Sequence, residues 1–344
     1  MGVRLPLLAQ KAADDLNRRP LLSYHRRVRL LPESVADGAE LRDVVAAQTA
    51  RAALQVIADR HALRGELVRC DRGSDLVFAL EDTVVKLTDP RWTVQIDTEV
   101  AFLEALGGEL PVNTADVVAR GSLEGWPYVV MSRLPGEHLD DAWPSMSHDA
   151  RLGIAEQIGE LITSLHAIPV AGAPAHPWPD WVASRRAAVI GEQRERGAPE
   201  PWLEAIDEFL AVHGDPYGGE LAAASLHTEL LDTHLFVEHV GGRIVLSGLI
   251  DFADGMIGAP SYEVAGVVEF IFKAEAGLLT RCLESAGWRN RRDTAEAERL
   301  FACSLLHRFA SVPRMLRAAK IDESRPVDIG ALISSLYRLT PNST

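Results

Sequence analysis

The chain has 344 residues, 47% apolar and 24% charged, with a formal net charge of −14. This is the composition of a folded globular protein with ample core, and its acidity argues against nucleic acid as a partner, since phosphate binding calls for a basic face. No apolar run reaches the roughly 18 residues needed to cross a bilayer, the N-terminus makes a poor secretory signal, and the scattered Cys70, Cys282 and Cys303 form neither a metal pair nor a disulfide framework, so a reducing cytoplasm is the expected location and no membrane partner is expected.

In chain order, residues 1–37 read as an arm interrupted by Pro6, Pro20 and Pro32, and residues 38–63 carry apolar side chains at helical spacing up to the stop at Gly65. Three strands are predicted next, Glu66–Cys70, Asp75–Leu80 and Thr83–Leu87, with turns at Gly73 and Glu81-Asp82. A helix over Val94–Leu106 closes at Gly107-Gly108, and Ala115–Ala119 and Pro127–Met131 complete a set of five strands. Beyond Pro135-Gly136 the pattern turns helical: Ile154–His166, Trp181–Glu195 and Pro201–Val212. Leu235–Val240 and Arg243–Ile250 read as a hairpin around Gly241-Gly242, and Tyr262 to Leu339 is mostly helical. The implied architecture is α+β: a small β-rich lobe over residues 1–131, in which 1–65 form an arm and a helix, and a larger helical lobe over 132–344.

Only four lysines occur, so Lys86 inside the apolar strand Thr83-Val84-Val85-Lys86-Leu87 stands out. An ammonium at that place can hold phosphate oxygens if a carboxylate orients it, and Glu99, thirteen residues on, lies on the next helix. The loop Arg72-Gly73-Ser74-Asp75 between the first two strands could cover phosphates with its backbone N–H groups, Gly73 and Ser74 above all. Far downstream, the polar loop Leu226-His227-Thr228-Glu229-Leu230-Leu231-Asp232-Thr233-His234 leads into the hairpin, and Asp251 follows the hairpin's second strand, 24 residues after His227. Such a loop and carboxylate can meet at one point, which suits metal binding combined with general-base work.

These segments together resemble the aminoglycoside phosphotransferase family, within the protein-kinase-like fold. The family's catalytic loop reads His-Gly-Asp with an Asn five residues after the Asp, then two strands and Ile-Asp-Phe; here the loop is His227-Thr228-Glu229 with His234 at the Asn place, followed by Ile250-Asp251-Phe252. Gly258-Ala259-Pro260-Ser261-Tyr262-Glu263 resembles the family's Gly-Asp-Pro-x-Tyr-Asp, and Trp126 to Arg133 resembles its inter-lobe hinge, which implies donor contacts at Met131 and Arg133. The hinge and Arg185–Val189 are similar to hygromycin phosphotransferases, while the His-Thr-Glu loop is similar to phosphotransferases of nucleoside antibiotics such as capuramycin. His213-Gly214-Asp215 matches the family triplet by letter but lacks the Asn and the following strand, so it reads as a surface loop.

The resemblance implies transfer of a phosphoryl group from ATP or GTP, with Mg2+, to a hydroxyl of a small sugar-bearing antibiotic. Glu229 would replace the catalytic Asp with one more methylene, and a misplacement of that size can matter for an in-line transfer. His227 would brace the loop, Asp251 and His234 would hold the metal, although magnesium prefers oxygen ligands, and Asp232, Asp254 and Glu269 are the candidates for contacts to the acceptor. The alternatives are a nucleotide-binding module without turnover and a kinase of a small primary metabolite.

Overall fold

The computed structural model describes residues 29–33, 35, 48–70, 72, 75–171, 177–214, 223–288, 293–322 and 325–339. Most of the predicted arm, the first part of the predicted 38–63 helix, and Asp215 to Gly219 of the triplet loop lie outside these residues.

Helix α1 (Gln48–Arg60) precedes strands β1 (Val68–Arg69), β2 (Leu76–Ala79) and β3 (Thr83–Leu87); helix α2 (Thr93–Leu106) follows, and β4 (Val117–Leu123) and β5 (Trp126–Ser132) close an antiparallel sheet of order β1-β2-β3-β5-β4. Alternation sorts its two faces. Val85 and Leu87 of β3 and Tyr128 and Val130 of β5 join Leu54 and Ile57 of α1 in one core. Val129 and Met131 face the other way and pack with Ile96, Val100 and Leu103 of α2. Lys86 is paired across the sheet with Val129, so the same period that buries Val85 and Leu87 under α1 aims Lys86 at α2. The fourth strand differs from expectation. It starts at Val117 and continues through the polar Arg120-Gly121-Ser122, a composition tolerated because β4 is an edge strand with largely exposed side chains.

After the short β6 (Glu137–His138) and α3 (Leu139–Ala142), the second half is built on α4 (His148–Ala167), α5 (Trp178–Glu195) and α6 (Glu200–His213). The Ser147 hydroxyl accepts from the Ala150 N–H and caps α4. Helix α5 begins at Trp178, three residues before the predicted start, because Trp178 and Trp181 stack on each other at 4.8 Å and both meet the buried Tyr262 edge-to-face, one turn of helix bringing both to that side. Strand β7 (Ala224–Leu226), the hairpin β8 (Leu235–Val240) and β9 (Arg243–Leu249), and β10 (Met256–Gly258) follow. Gly241 and Gly242 both have positive φ, which turns this hairpin as expected. Strands β7 and β10, too short to show in the sequence pattern, pair with each other antiparallel, Leu226 against Met256, and so clamp the two ends of the segment that carries residues 227–255.

The remaining helices are α7 (Pro260–Val267), continued by a π-turn at Val268–Phe272, then α8 (Leu278–Ser285), α9 (Thr294–Leu306), α10 (Val312–Ala319) and α11 (Ile329–Tyr337). Gly159 lets α4 and α8 approach: a Cβ there would lie 2.3 Å from the Cys282 carbonyl oxygen. One apolar core runs from α2 into the helical half, and the Phe102 ring stacks on Phe252 at 5.8 Å. That contact bolts α2 to the segment bearing Asp251.

Candidate active site

The β3 strand and α2 present Lys86 and Glu99 to each other, and the Phe102–Phe252 stack brings Asp251 to the same place. Lys86 Nζ lies 2.8 Å from Asp251 Oδ1, 2.9 Å from Glu99 Oε2 and 3.6 Å from Asp75 Oδ2. Lys86 and Glu99 are 4% and 2% exposed, so these charges interact with little water between them. Burial disfavours the Lys86 ammonium, but Asp251, Glu99 and Asp75 outweigh it and hold its pKa well above the ordinary value. One lysine cannot neutralise three carboxylates. Burial raises Glu99 to about 7 despite Lys86, and burial raises Asp75 as well. Burial also opposes ionisation of Asp251, yet Lys86 and His234 override it and hold this carboxyl well below the usual range.

The loop after β7 is fixed by its histidines. His227 donates from Nε2 to the Ile250 carbonyl oxygen at 2.9 Å, its Nδ1 accepts from the Glu229 N–H at 3.3 Å, and its own N–H donates to Glu263 Oε2 at 2.6 Å. Burial lowers the His227 pKa to about 3, so this imidazole is a neutral brace. His234 donates from Nδ1 to the Glu229 carbonyl oxygen at 2.8 Å, and its Nε2 lies 3.6 Å from Asp251 Oδ2. Thr228 and Asp251 both take positive φ, near +70°, a backbone state that non-glycine residues adopt mainly where the surroundings impose it. For Thr228 the surroundings are its hydroxyl on the Asp254 carbonyl oxygen, and His307 Nε2, which donates to the Thr228 carbonyl oxygen at 3.0 Å. His307 is likewise kept neutral by burial, at a pKa of about 3.

The Glu229 carboxylate is held by Arg308, whose guanidinium contacts Glu229 and both carboxylate oxygens of Asp254. Burial drives the Glu229 carboxyl upward, to about 8, against Arg308 and with help from the Asp254 and Asp251 charges. Burial likewise opposes the Arg308 charge, which Glu229 and Asp254 restore. The two tendencies pull apart. The guanidinium seated on the carboxylate favours the ionised pair, with Glu229 far more basic than an exposed glutamate.

The remaining expected residues are distributed as follows. Gly73 and Ser74 lie outside the described residues. Met131 is buried in β5, opposite Val84. Arg133 gives its backbone N–H to the Asp82 carbonyl oxygen and its guanidinium to that of Leu80, which ties the hinge to the β2–β3 turn. Asp232 pairs with Lys273 at 3.0 Å and Asp254 also accepts from Gln95. Glu269 is not among them: it is buried in the π-turn, bound by Arg314 and the Ser311 N–H. Sequence reasoning gave Asp75 and Glu263 no role of their own and missed His307 and Arg308. Asp75 was legible in part, as the first residue of an expected strand two positions from the loop glycine; nothing in the sequence around His307-Arg308 marks it as part of this site.

Among the described residues there is no cluster of three or more His, Cys, Asp or Glu arranged to hold a metal. Magnesium does not require one, since one or two carboxylates with phosphate and water oxygens suffice. Asp251 Oδ2, the oxygen not bonded to Lys86, and Nε2 of His234 as a neutral imidazole fit such a partial ligand set.

A buried, carboxylate-oriented lysine under a five-stranded antiparallel sheet, facing a histidine-braced loop and a following aspartate, defines a phosphotransferase of the protein-kinase-like fold. The chain belongs to the phosphotransferase enzyme family (APH), which matches residues 66–300, and is a phosphotransferase with an alcohol group as acceptor. It is 28% identical over 214 residues to viomycin phosphotransferase of Streptomyces vinaceus, covering 58% of this chain and 69% of that protein. Its fold matches that of aminoglycoside 2'-phosphotransferase-IIIa in its GDP complex, with a TM-score of 0.64 at 18% identity over 85% of this chain and 99% of that one. It also matches an aminoglycoside-3'-phosphotransferase of type VIII, with a TM-score of 0.57 at 20% identity over 76% and 98%. No helix among the described residues is long and apolar enough to cross a membrane.

Proposed function

We propose that this protein transfers the γ-phosphoryl group of ATP or GTP to a hydroxyl of a small sugar-bearing antibiotic in the cytoplasm, with donor contacts in residues 1–131 and acceptor contacts in 132–344. The observation that carries the reading is the convergence of Lys86, Glu99 and Asp251 beside Glu229. Lys86, oriented by Glu99, holds triphosphate oxygens. Asp251 and His234 would hold Mg2+, which supplies neutralisation of phosphate charge when bound. Glu229, in the place of the family's catalytic Asp, accepts the acceptor hydroxyl's proton as the oxygen–phosphorus bond forms and the nucleoside diphosphate leaves. Its longer side chain is fixed in place by the contact with Arg308. The similarity to a viomycin phosphotransferase, and the likeness of fold to kanamycin- and gentamicin-bound phosphotransferases, support an antibiotic acceptor; the His-Thr-Glu…His loop supports a nucleoside antibiotic within that class. The test is a mass-spectrometric screen of antibiotics with each nucleotide and magnesium for a gain of one phosphoryl group. A protein that binds nucleotide yet phosphorylates no acceptor would refute the reading in favour of a binding module.

A further inference from the structure

Resting on the phosphotransferase reading above, we propose that Arg308 is a specificity-determining residue that adapts the acceptor side to an uncharged polyhydroxylated compound and against polycations, by holding Glu229 and Asp254 as its own counter-ions. The placement is built into the fold. His307 and Arg308 follow α9 and engage consecutive residues of the loop: the buried His307 imidazole donates to the Thr228 carbonyl oxygen, and the Arg308 guanidinium contacts the Glu229 carboxylate. The same guanidinium reaches Asp254, with Nη1 3.1 Å from Oδ1.

A cationic acceptor is recognised by carboxylates that lack a protein counter-ion; an ammonium arriving at a carboxylate already carrying a guanidinium meets a like charge at close range. The carboxylates expected to face the acceptor are occupied: Glu229 and Asp254 by Arg308, and Asp232 by Lys273 at 3.0 Å. Glu269 is turned inward onto Arg314. Beside these paired charges lies Phe309, 42% exposed, with the Arg308 guanidinium 4.8 Å from its ring centre. A flat apolar face beside hydrogen-bonding groups suits the ring of a neutral sugar or nucleoside.

Kanamycin serves as the polycationic probe, titrated by ligand-observed NMR, which reads millimolar affinities, at low and high salt. The wild type is expected to bind it only in the millimolar range. Arg308→Gln, which takes the guanidinium off Asp254 and Glu229, should at pH 9 bind it about tenfold more tightly, with the gain lost at high salt. Arg308→Lys keeps the charge and should behave as the wild type. Lys273→Gln, at a half-exposed side chain, should give a smaller gain of the same sign, which preserves the test if Arg308→Gln fails to fold. Micromolar binding by the wild type, or no gain in Lys273→Gln and a folded Arg308→Gln, would overturn the proposal. These are binding measurements, so they stand apart from the transfer screen. A screen in which the preferred acceptor is a polycation whose KM rises with salt would also overturn it, whereas a preferred neutral acceptor with a salt-independent KM supports it.

Discussion

Replacing Lys86 by methionine keeps most of the side-chain volume and removes the only cation in contact with Glu99 among the described residues. The ammonium lies 2.9 Å from Glu99, 2.8 Å from Asp251 and 3.6 Å from Asp75. Without it, the Asp251 and Asp75 side chains, 35% and 18% exposed, can recover hydration, but Glu99, at 2%, cannot. Breaking a buried pair by removing one partner costs about 3–5 kcal/mol, and here the cost falls mainly on Glu99, which must take up a proton. Its folded pKa is already raised, to about 7, and loss of Lys86 raises it further. For an acid with a raised folded pKa, the folded state binds more protons than the unfolded one, so stability falls as pH rises from the unfolded value near 4.5 and goes on falling until the folded pKa is passed. Urea unfolding should therefore find Lys86→Met about 3 kcal/mol less stable than the wild type at pH 8, with most of that deficit gone at pH 5. Adding Glu99→Gln should restore stability at pH 8 without restoring nucleotide affinity, which should be weakened in both variants. A deficit of equal size at both pH values would refute the electrostatic account and leave packing as the cause.

Glu229→Gln should cut turnover by about 10²-fold or more with little change in nucleotide binding; and because only the ionised carboxylate accepts a proton, wild-type turnover should rise with pH through about 8, a limb absent from the variant. His234→Ala should weaken the response of nucleotide binding to magnesium and His234→Asn should recover part of it; full activity with an unchanged metal requirement in His234→Ala would make this histidine a bystander. Glu263 is raised by burial to about 7, so wild-type stability declines as pH rises from about 4.5 past 7, and Glu263→Gln, which retains an acceptor for the His227 N–H, should flatten that decline in urea unfolding. Gly159→Ala should destabilise by about 1–3 kcal/mol, since its Cβ would press on the Cys282 carbonyl between α4 and α8; an unchanged unfolding midpoint would show that these helices can separate freely.

What the sequence determined by itself rests on local patterns and on order along the chain. Alternation in Thr83–Leu87 puts Lys86 on the face opposite Val85 and Leu87, helical spacing in α2 places Glu99 within its reach, and a glycine-turned hairpin returns the chain to Asp251, because each needs only the period of its own element and a short connection. What only tertiary structure decided depends on how distant helices rotate and seat. Arg308 meets Glu229 across 79 residues of chain, through the packing of α9 and the His307 anchor, and no periodicity encodes that meeting. Glu269 looked like one more acidic residue on an acceptor-facing helix, but the π-turn at Val268–Phe272 rotates it into the interior, where Arg314 binds it; a π-turn adds a residue to one turn and so moves a side chain off the face that a regular helix would give it. Strands β7 and β10, three residues each, carry too little pattern to be seen, and they form because pairing with each other satisfies their buried backbone groups. The charge state of the site follows the same division: the carboxylates were visible in the sequence, but which cation neutralises each of them was set by long-range packing.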